Sequence, residues 1–553
     1  MGSANMTVLY PISLPAVVGV LSQSNWNYAL AIAPLIGLTI VICDYVDGWS
    51  RRKAFTSKGI TIVDEGSNLS PVLRWMNAST DLVKANANAY KQYIKNGKPY
   101  AMRMHHGDHV VVLPGSSAKE WRNLPREHHS FYEAVSVITG QEHYMANMNT
   151  TSADTLNACN NKSTMNKFHE LLLSEIDRHL PLTYDPPSGQ DWHEINTLPA
   201  NLEVFSKIAT SLIYGPEFTS NPIFMDHFRL WAATIMPTLY VQTNYPRILR
   251  PLIWHFHPVC RTLRSSLNGM KEILLPGILN RIHRVQTNKR SSAVDENGRF
   301  SLLDYHIDAA LKDGSLDRYE GGPEAKSQVI RLMDNSIQSL FQIEYPEAIN
   351  VTYMMYAIME HPEYLEPLRE EILTALKLCN NEWTPEILNH CPKLESFNRE
   401  AFRMRDEYTI NIYQMLVINM RTFLKPFTSK SLKLSLSPGT MTMTPCRAVH
   451  LDSDNYPDPT TFNGLRFYDE ANGTCSPRIT TTSPTFLTFS HGTGSCPARA
   501  LVAQMTRLTF IKFLLSYDME LIKETMPAEY GIPHPLVYFP TPDVRMRVRA
   551  RKG

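Results

Sequence analysis

The chain has 553 residues, a formal net charge of +1 and 43% hydrophobic residues. That near-neutral balance, with no basic stripe and no stacking motif, excludes an electrostatic nucleic-acid binder. Eight cysteines are scattered without Cys-x-x-Cys spacing, which argues against zinc ribbons and disulfide scaffolds and suits a reducing compartment.

The N-terminus is apolar. Thr7 to Leu21 is broken by Pro11 and Pro15. Ala29 to Cys43 makes the better span despite Pro34, with Trp26 and Tyr28 before it and Tyr45 after it. Aromatics at both ends suit the two membrane interfaces. Arg51-Arg52-Lys53 follows, and no Lys or Arg precedes Arg51. Positive charge after the span holds the rest of the chain in the cytosol, and the missing basic start argues against a cleaved signal peptide. The run is short for a span, so a buried core helix is the alternative. No Gly/Ser-rich linker, charge block or internal repeat divides the chain beyond Lys53. The expected organisation is an N-terminal transmembrane anchor over residues 1–50 and one domain over residues 51–553. Sequons such as Asn149-Thr150-Thr151 carry no weight in a cytosolic domain.

The pairs His105-His106 and His128-His129 read as surface or loop histidines, because neither has a cysteine partner or a helical His pair at ligand spacing. Helical patterning dominates from about Thr164 to Leu424. Ser206 to Tyr214, Arg261 to Leu275, Ser327 to Glu360 and Pro362 to Leu378 carry apolar residues at helical spacing. Pro346 interrupts the third of these; it removes a backbone donor and clashes with the carbonyl four residues back, at about 3 kcal/mol. A kink would absorb it.

Glu400-Ala401-Phe402-Arg403 falls on a helix opened by Pro392. Residues three apart share a helix face, so Glu400 and Arg403 can pair, although a surface pair is the default for such spacing. Phe423 to Met443 reads as short strands around the turn Ser437-Pro438-Gly439, and Val544 to Val548 alternates as a strand.

Between them lies Phe489-Ser490-His491-Gly492-Thr493-Gly494-Ser495-Cys496-Pro497, directly before an apolar helical run from Ala500 to Tyr517. Glycines let the backbone curl so that amides point at the sulfur and lower its proton affinity. The helix N-terminus adds partial positive charge. Such a loop offers one thiolate to a metal; an ordinary buried cysteine in a turn is the alternative. Gly492-Thr493-Gly494 is not a dinucleotide fingerprint, and no nicotinamide or flavin site is recognisable.

Phe-x-x-Gly-x-x-x-Cys resembles the heme-ligand loop of the cytochrome P-450 superfamily of heme-thiolate monooxygenases. Glu400, Arg403 and the later Arg466, with Tyr456-Pro457-Asp458-Pro459 between, match that superfamily's ion network in type and order. His361-Pro362-Glu363 through Glu371 looks like the start of the helix after the oxygen-binding helix of fungal members. Asn96 to Tyr100, Val110 to Pro114 and then Arg122-Asn123-Leu124-Pro125 look like their first sheet and next helix. The chain is most similar to the fungal ent-kaurene-oxidase-like enzymes of secondary metabolism. The resemblance covers most of the chain and implies a mostly α fold with small peripheral β-sheets.

It further implies heme b with Cys496 as the axial iron ligand, and Phe489, His491, Gly492 and Arg499 around it. Glu400, Arg403 and Arg466 would brace the loop. Electrons would come from NADPH through a membrane-bound cytochrome P-450 reductase, at the cytosolic face of the endoplasmic reticulum as a single-pass protein. The substrate implied is an apolar natural product, terpenoid or a prenylated alkaloid or polyketide. Lining would come from Thr409 to Tyr413, Ile343 to Glu347, Trp231 to Tyr245 and Pro533 to Phe539.

The chain departs from the family's pattern at several points. The oxygen-binding helix reads Gln342-Ile343-Glu344-Tyr345-Pro346-Glu347, without the usual hydroxyl. Glu344, Glu347 or water would then handle protons. Gly494 replaces a basic propionate partner and Ala498 a glycine, and Trp121 with Arg126 is one residue too long for Trp-x-x-x-Arg; Arg499 and His491 are the candidates to compensate. These departures keep two further classes open. One is a reductase-independent heme-thiolate isomerase or peroxide-using enzyme; the other is a non-catalytic heme or ligand binder.

Overall fold

The computed structural model describes residues 53–63, 88–103, 109–139, 162–187, 191–243, 249–288, 301–312, 323–404, 419–525 and 543–551, with isolated positions between them. The anchor expected over Ala29 to Cys43 lies for the most part outside these residues. Among the described residues, no helix is long and apolar enough to cross a membrane.

Thirteen short strands organise the β structure of the described residues. They are β1 (Thr61–Val63), β2 (Tyr100–Arg103), β3 (His109–Val112), β4 (His129–Ser130), β5 (His193–Asn196), β6 (Arg421–Phe423), β7 (Phe427–Ser429), β8 (Leu434–Leu436), β9 (Met441–Met443), β10 (Tyr468–Asp469), β11 (Thr474–Cys475), β12 (Tyr517–Leu521) and β13 (Arg545–Ala550). Six of them form one sheet in the order β1-β2-β3-β9-β6-β4. Val110 pairs with Met441 in parallel, and Arg421 pairs with Thr442 antiparallel. This sheet therefore clamps the early chain to the segment that follows the Glu400 helix. The strands expected between Phe423 and Met443 and at the tail are present; Gly439 takes φ +82 in the turn, which a Cβ would strain.

The remainder is helical. The main elements are α1 (Phe131–Thr139), α2 (Lys162–Tyr184), α3 (Thr197–Tyr214), α4 (Pro222–Thr243), α5 (Pro258–Asn288), α6 (Leu302–Lys312), α7 (Pro323–Glu360), α8 (Leu365–Leu378), α9 (Pro392–Met404) and α10 (Arg499–Ser516). They contain the four stretches of helical spacing, with Pro362–Tyr364 forming a 3-10 turn before α8. Arg122 to Pro125 is a correction: the helix there is only Ala118–Trp121, Arg122 and Asn123 form a turn, and Leu124 and Pro125 are irregular. Arg122 lends its carbonyl oxygen to Thr493 instead.

The largest core cluster runs from Phe168 on α2 to Val548 on β13. Its spine is α7, whose second half is buried on almost every side, from Ala348 through Ile358. A helix apolar all round has no solvent face and must sit inside the body. Helix continues through Pro346, and that residue is exposed although its neighbours Glu344 and Glu347 are buried. Since α7 is wrapped by α3, α5, α6, α9 and α10, this open surface faces an internal space.

Candidate cofactor site

The Cys496 loop is closed on itself. The Cys496 amide donates to the Phe489 carbonyl at 2.8 Å, and Ser495 donates to Gly492 at 3.0 Å. Gly492 has φ +78, and a Cβ there would collide with the Arg122 carbonyl oxygen. Only glycine fits that position. Thr493 fastens the tip, donating to the carbonyls of Arg122 and Leu124 at 3.1 and 2.8 Å. Beneath the loop, Phe489 packs with Phe402, Ile479, Phe486 and Ala503, and Cys496 lies at the edge of that cluster.

Cys496 is deep in the protein yet keeps open surface, the mark of a side chain lining an internal cavity. Burial pushes its thiol up to about 11. The Ala498 amide and the Arg499 charge pull it down, and the charge of Glu347 pushes it up. The expectation that loop amides would lower its proton affinity is thus only partly met: the amide effect is there, but desolvation outweighs it. A thiolate is stable at this place only with a cation against it.

Glu400 and Arg403 are fully buried and pair twice, at 2.8 Å through Nε and 2.8 Å through Nη2. The same carboxylate accepts from Arg466 Nε at 2.9 Å and from the Asn463 amide at 3.1 Å. Arg403 Nη1 donates onward to the carbonyls of His450 and Pro459 at 2.8 and 2.7 Å. The His450 ring accepts the Leu487 amide at 2.9 Å. This relay connects α9 to the strand of chain that becomes the loop at Phe489. Glu395 and Arg399 extend it: Glu395 meets Arg507 on α10 and accepts the Ile479 amide, while Arg399 binds the carbonyls of Arg478 and Thr481.

Two cations that spacing did not single out border the loop. Arg421, buried on β6, donates to the Gly494 carbonyl at 2.6 Å and to Ser490 Oγ at 3.3 Å. A Cβ at Gly494 would strike its guanidinium. The glycine where the family pattern has a basic residue is therefore the space that Arg421 fills. Burial and the nearby Arg126 charge lower its pKa to about 10, so it is still a cation at neutral pH. Arg122 Nη1 meets His491 Nε2 at 3.0 Å, and His491 Nδ1 meets Thr482 at 3.0 Å. Arg499 is taken up by the Cys496 carbonyl at 2.9 Å.

The two acids of α7 separate. Glu347, fully buried, accepts from Thr506 Oγ1 of α10 at 2.6 Å and from Asn350 at 3.4 Å. Glu344 does not share these partners: the Glu203 charge of α3 acts on it, and its Oε2 has no hydrogen-bond partner. Burial, then Glu203, raises its pKa to about 8. Of the expected lining, Trp231 is buried, Tyr240 and Tyr245 are exposed, and Thr409 to Tyr413 and Pro533 to Phe539 lie outside the described residues. His128 meets Lys425, while His129 is stacked on Phe423 and bonded to Thr442. His105 and His106 lie outside the described residues.

The donor set fits a heme. Among the described residues, no group of three or more His, Cys, Asp or Glu could chelate an ion by itself. An iron held at Cys496 would need its other ligands from a macrocycle. The macrocycle's carboxylates match the cations Arg421 and Arg122.

Comparison with known proteins agrees with this geometry. Residues 346–545 match the family model described as Cytochrome P450. The chain is 40% identical over 524 residues to the bicoumarin synthase desC of Aspergillus desertorum, spanning 93% of this chain and 95% of that protein. It is 42% identical over 481 residues to the cytochrome P450 monooxygenase afvE of Aspergillus flavus, spanning 87% of this chain and 98% of that protein. Among solved structures it superposes on retinoic-acid-bound cyanobacterial CYP120A1 with a TM-score of 0.58, covering 86% and 96% of the two chains at 14% identity. That last likeness is one of fold.

Proposed function

This chain belongs to the cytochrome P450 family, with that family's heme-thiolate iron cofactor, and from that premise we propose that it is a membrane-anchored monooxygenase of fungal secondary metabolism with Cys496 as the axial ligand. The observation that carries the assignment is Cys496, deep in the protein yet not fully covered, held by a closed loop that the buried cation Arg421 borders. The substrate is an apolar polycyclic intermediate, of terpenoid, prenylated-alkaloid or polyketide origin. One atom of dioxygen enters the product and the other leaves as water, with two electrons from NADPH delivered by a cytochrome P450 reductase at the endoplasmic reticulum. Residues 1–50 are the anchor in this reading and residues 51–553 the catalytic domain.

The heme, when bound, supplies an iron that activates oxygen under the push of a thiolate ligand. The protein's own residues do the rest. The Glu400–Arg403–Arg466 network and the His450 relay hold the loop in register. Arg421 and Arg122 offer positive charge to carboxylates, and His491, its pKa lowered by burial and by the Arg122 charge, accepts from Arg122. Glu347 is the acid assigned to pass protons in this reading: it is fully buried near enough for its charge to act at Cys496, and the Thr506 hydroxyl and Asn350 amide donate to it and orient it. Glu344, whose Oε2 has no hydrogen-bond partner, stands outside this Thr506–Asn350 arrangement.

A second reading is favoured by one relative's name, bicoumarin synthase. Two aromatic rings would each lose a hydrogen and join, while oxygen is reduced to two waters with the help of one NADPH. Membranes carrying the protein and a reductase, fed candidate intermediates under labelled dioxygen, separate the two. Insertion gives a product heavier by one labelled atom; coupling gives a doubled, unlabelled product. Turnover without NADPH and reductase would overturn both and point to a peroxide-using or isomerising enzyme.

The same assay tests the proton residue. Glu347→Gln should lower the product formed per NADPH consumed by at least about tenfold, and Glu344→Gln should leave that ratio unchanged. Thr506→Val should resemble the first variant and Thr506→Ser should restore it. Equal effects at both acids would remove the assignment to Glu347.

A further inference from the structure

The half of α7 that faces the internal space presents rings as well as Pro346. Phe341 and Tyr345 lie one turn apart on it, their ring centroids 5.6 Å apart and their planes inclined by only 24°. Trp231 of α4 meets Phe341 edge-on, at 6.2 Å and 83°. Trp231 itself is buried and pressed against Phe228 at 6.1 Å. Phe341 is therefore braced from behind by a fixed indole.

Both α7 rings are packed against the main core, yet both keep open surface, unlike the buried Leu340 and Glu344 beside them. Tyr345 has protein on almost every side, so its open surface is cavity wall rather than the outside of the molecule. A wall of aliphatic side chains would suit any apolar ligand of the right size. Two stacked rings with nearly parallel planes add a geometric preference, because extending an offset stack needs a flat partner with its own π-system.

We propose that Phe341 and Tyr345 form a stacking platform that selects flat, fused-ring aromatic substrates over saturated polycycles. The inference rests on the monooxygenase reading given above and narrows its substrate class. Phe341 and Tyr345 supply the ring faces, and Trp231 is a positioning residue that keeps Phe341 at its tilt. No polar anchor is needed for this preference, so it holds for aromatic ligands whatever their substituents.

Equilibrium binding by titration calorimetry tests it, using heme-loaded full-length protein and two probes of similar size. The first is 7-hydroxycoumarin, flat and aromatic; the second is decahydro-2-naphthol, saturated and puckered. The wild type should bind the coumarin at least about threefold more tightly. Phe341→Leu and Tyr345→Leu should each weaken coumarin binding by about three- to tenfold and leave the saturated probe within twofold of its wild-type value. Tyr345→Phe should bind the coumarin as the wild type does, since it keeps the ring. A wild type that binds the saturated probe as tightly as the coumarin would overturn the platform. So would leucine variants that lose both probes equally, as expected of rings that only support the fold. The reduced carbon-monoxide spectrum of the same samples reports the heme-thiolate assignment separately, so failure of the platform and failure of the cofactor reading are distinguishable.

Discussion

Cys496→Ala protein should lose the reduced carbon-monoxide absorption band diagnostic of thiolate ligation, and its turnover should fall below detection. The size of the effect comes from the lack of a stand-in. Nearest along the loop is His491, whose two ring nitrogens are already engaged by Arg122 and Thr482. Cys446 is buried beside His450, and Cys475 lies in the hairpin of β10 and β11. Neither is part of the loop cluster. The fold itself should survive. The loop is closed by backbone hydrogen bonds between Phe489 and Cys496 and between Gly492 and Ser495, which do not use the sulfur. Circular dichroism of the variant should match the wild type while the spectrum of the cofactor changes. Cys496→Ala protein that retained both the band and the activity would falsify the axial-ligand assignment.

Arg403→Ala should yield protein that accumulates poorly and carries little or no heme. Arg403 and Glu400 have no solvent exposure in their side chains. Removing the arginine leaves a buried carboxylate with Arg466 as its remaining charged partner and strips two donors from the carbonyls of His450 and Pro459. Breaking a buried pair in this way costs about 3–5 kcal/mol, a large part of the stability of an ordinary domain. The damage should reach the cofactor, because His450 holds Leu487 and the next turn of chain leads to Phe489. Arg403→Lys should be intermediate: it keeps the charge but cannot make the two parallel bonds to Glu400. The ratio of heme absorbance to protein and the thermal midpoint measure both variants. Wild-type heme loading in Arg403→Ala would separate this network from the cofactor site.

Glu400 and Arg403 were legible in the sequence because the pairing is local: three residues on one helix bring the groups together whatever the rest of the chain does. The helices of the body and the strands between Phe423 and Met443 were legible for the same reason, since period and turn chemistry are written in neighbouring residues. The helix expected at Arg122 to Pro125 was not there. Those residues are a turn and irregular chain, two of their carbonyls accepting from Thr493, a contact that no local pattern reports.

The amino-acid sequence by itself determined the chemistry on offer. It supplied one cysteine in a glycine-bearing loop ahead of a helix, an acid and arginine one turn apart, and a helix in which Pro346 stands where a hydroxyl was expected. Tertiary structure decided which of these groups meet. Arg421 comes from a strand 73 residues away to occupy the space left by Gly494. Thr506 reaches Glu347 across 159 residues, while Glu344, three positions earlier, has no hydrogen-bond partner at Oε2 and feels the charge of Glu203. A helix fixes only the angle between its own side chains, about 100° per residue. What stands opposite each face depends on how distant segments pack, and the sulfur's proton affinity obeyed the same rule. The loop's amides act to lower it, and the depth at which the fold buries Cys496 raises it by more.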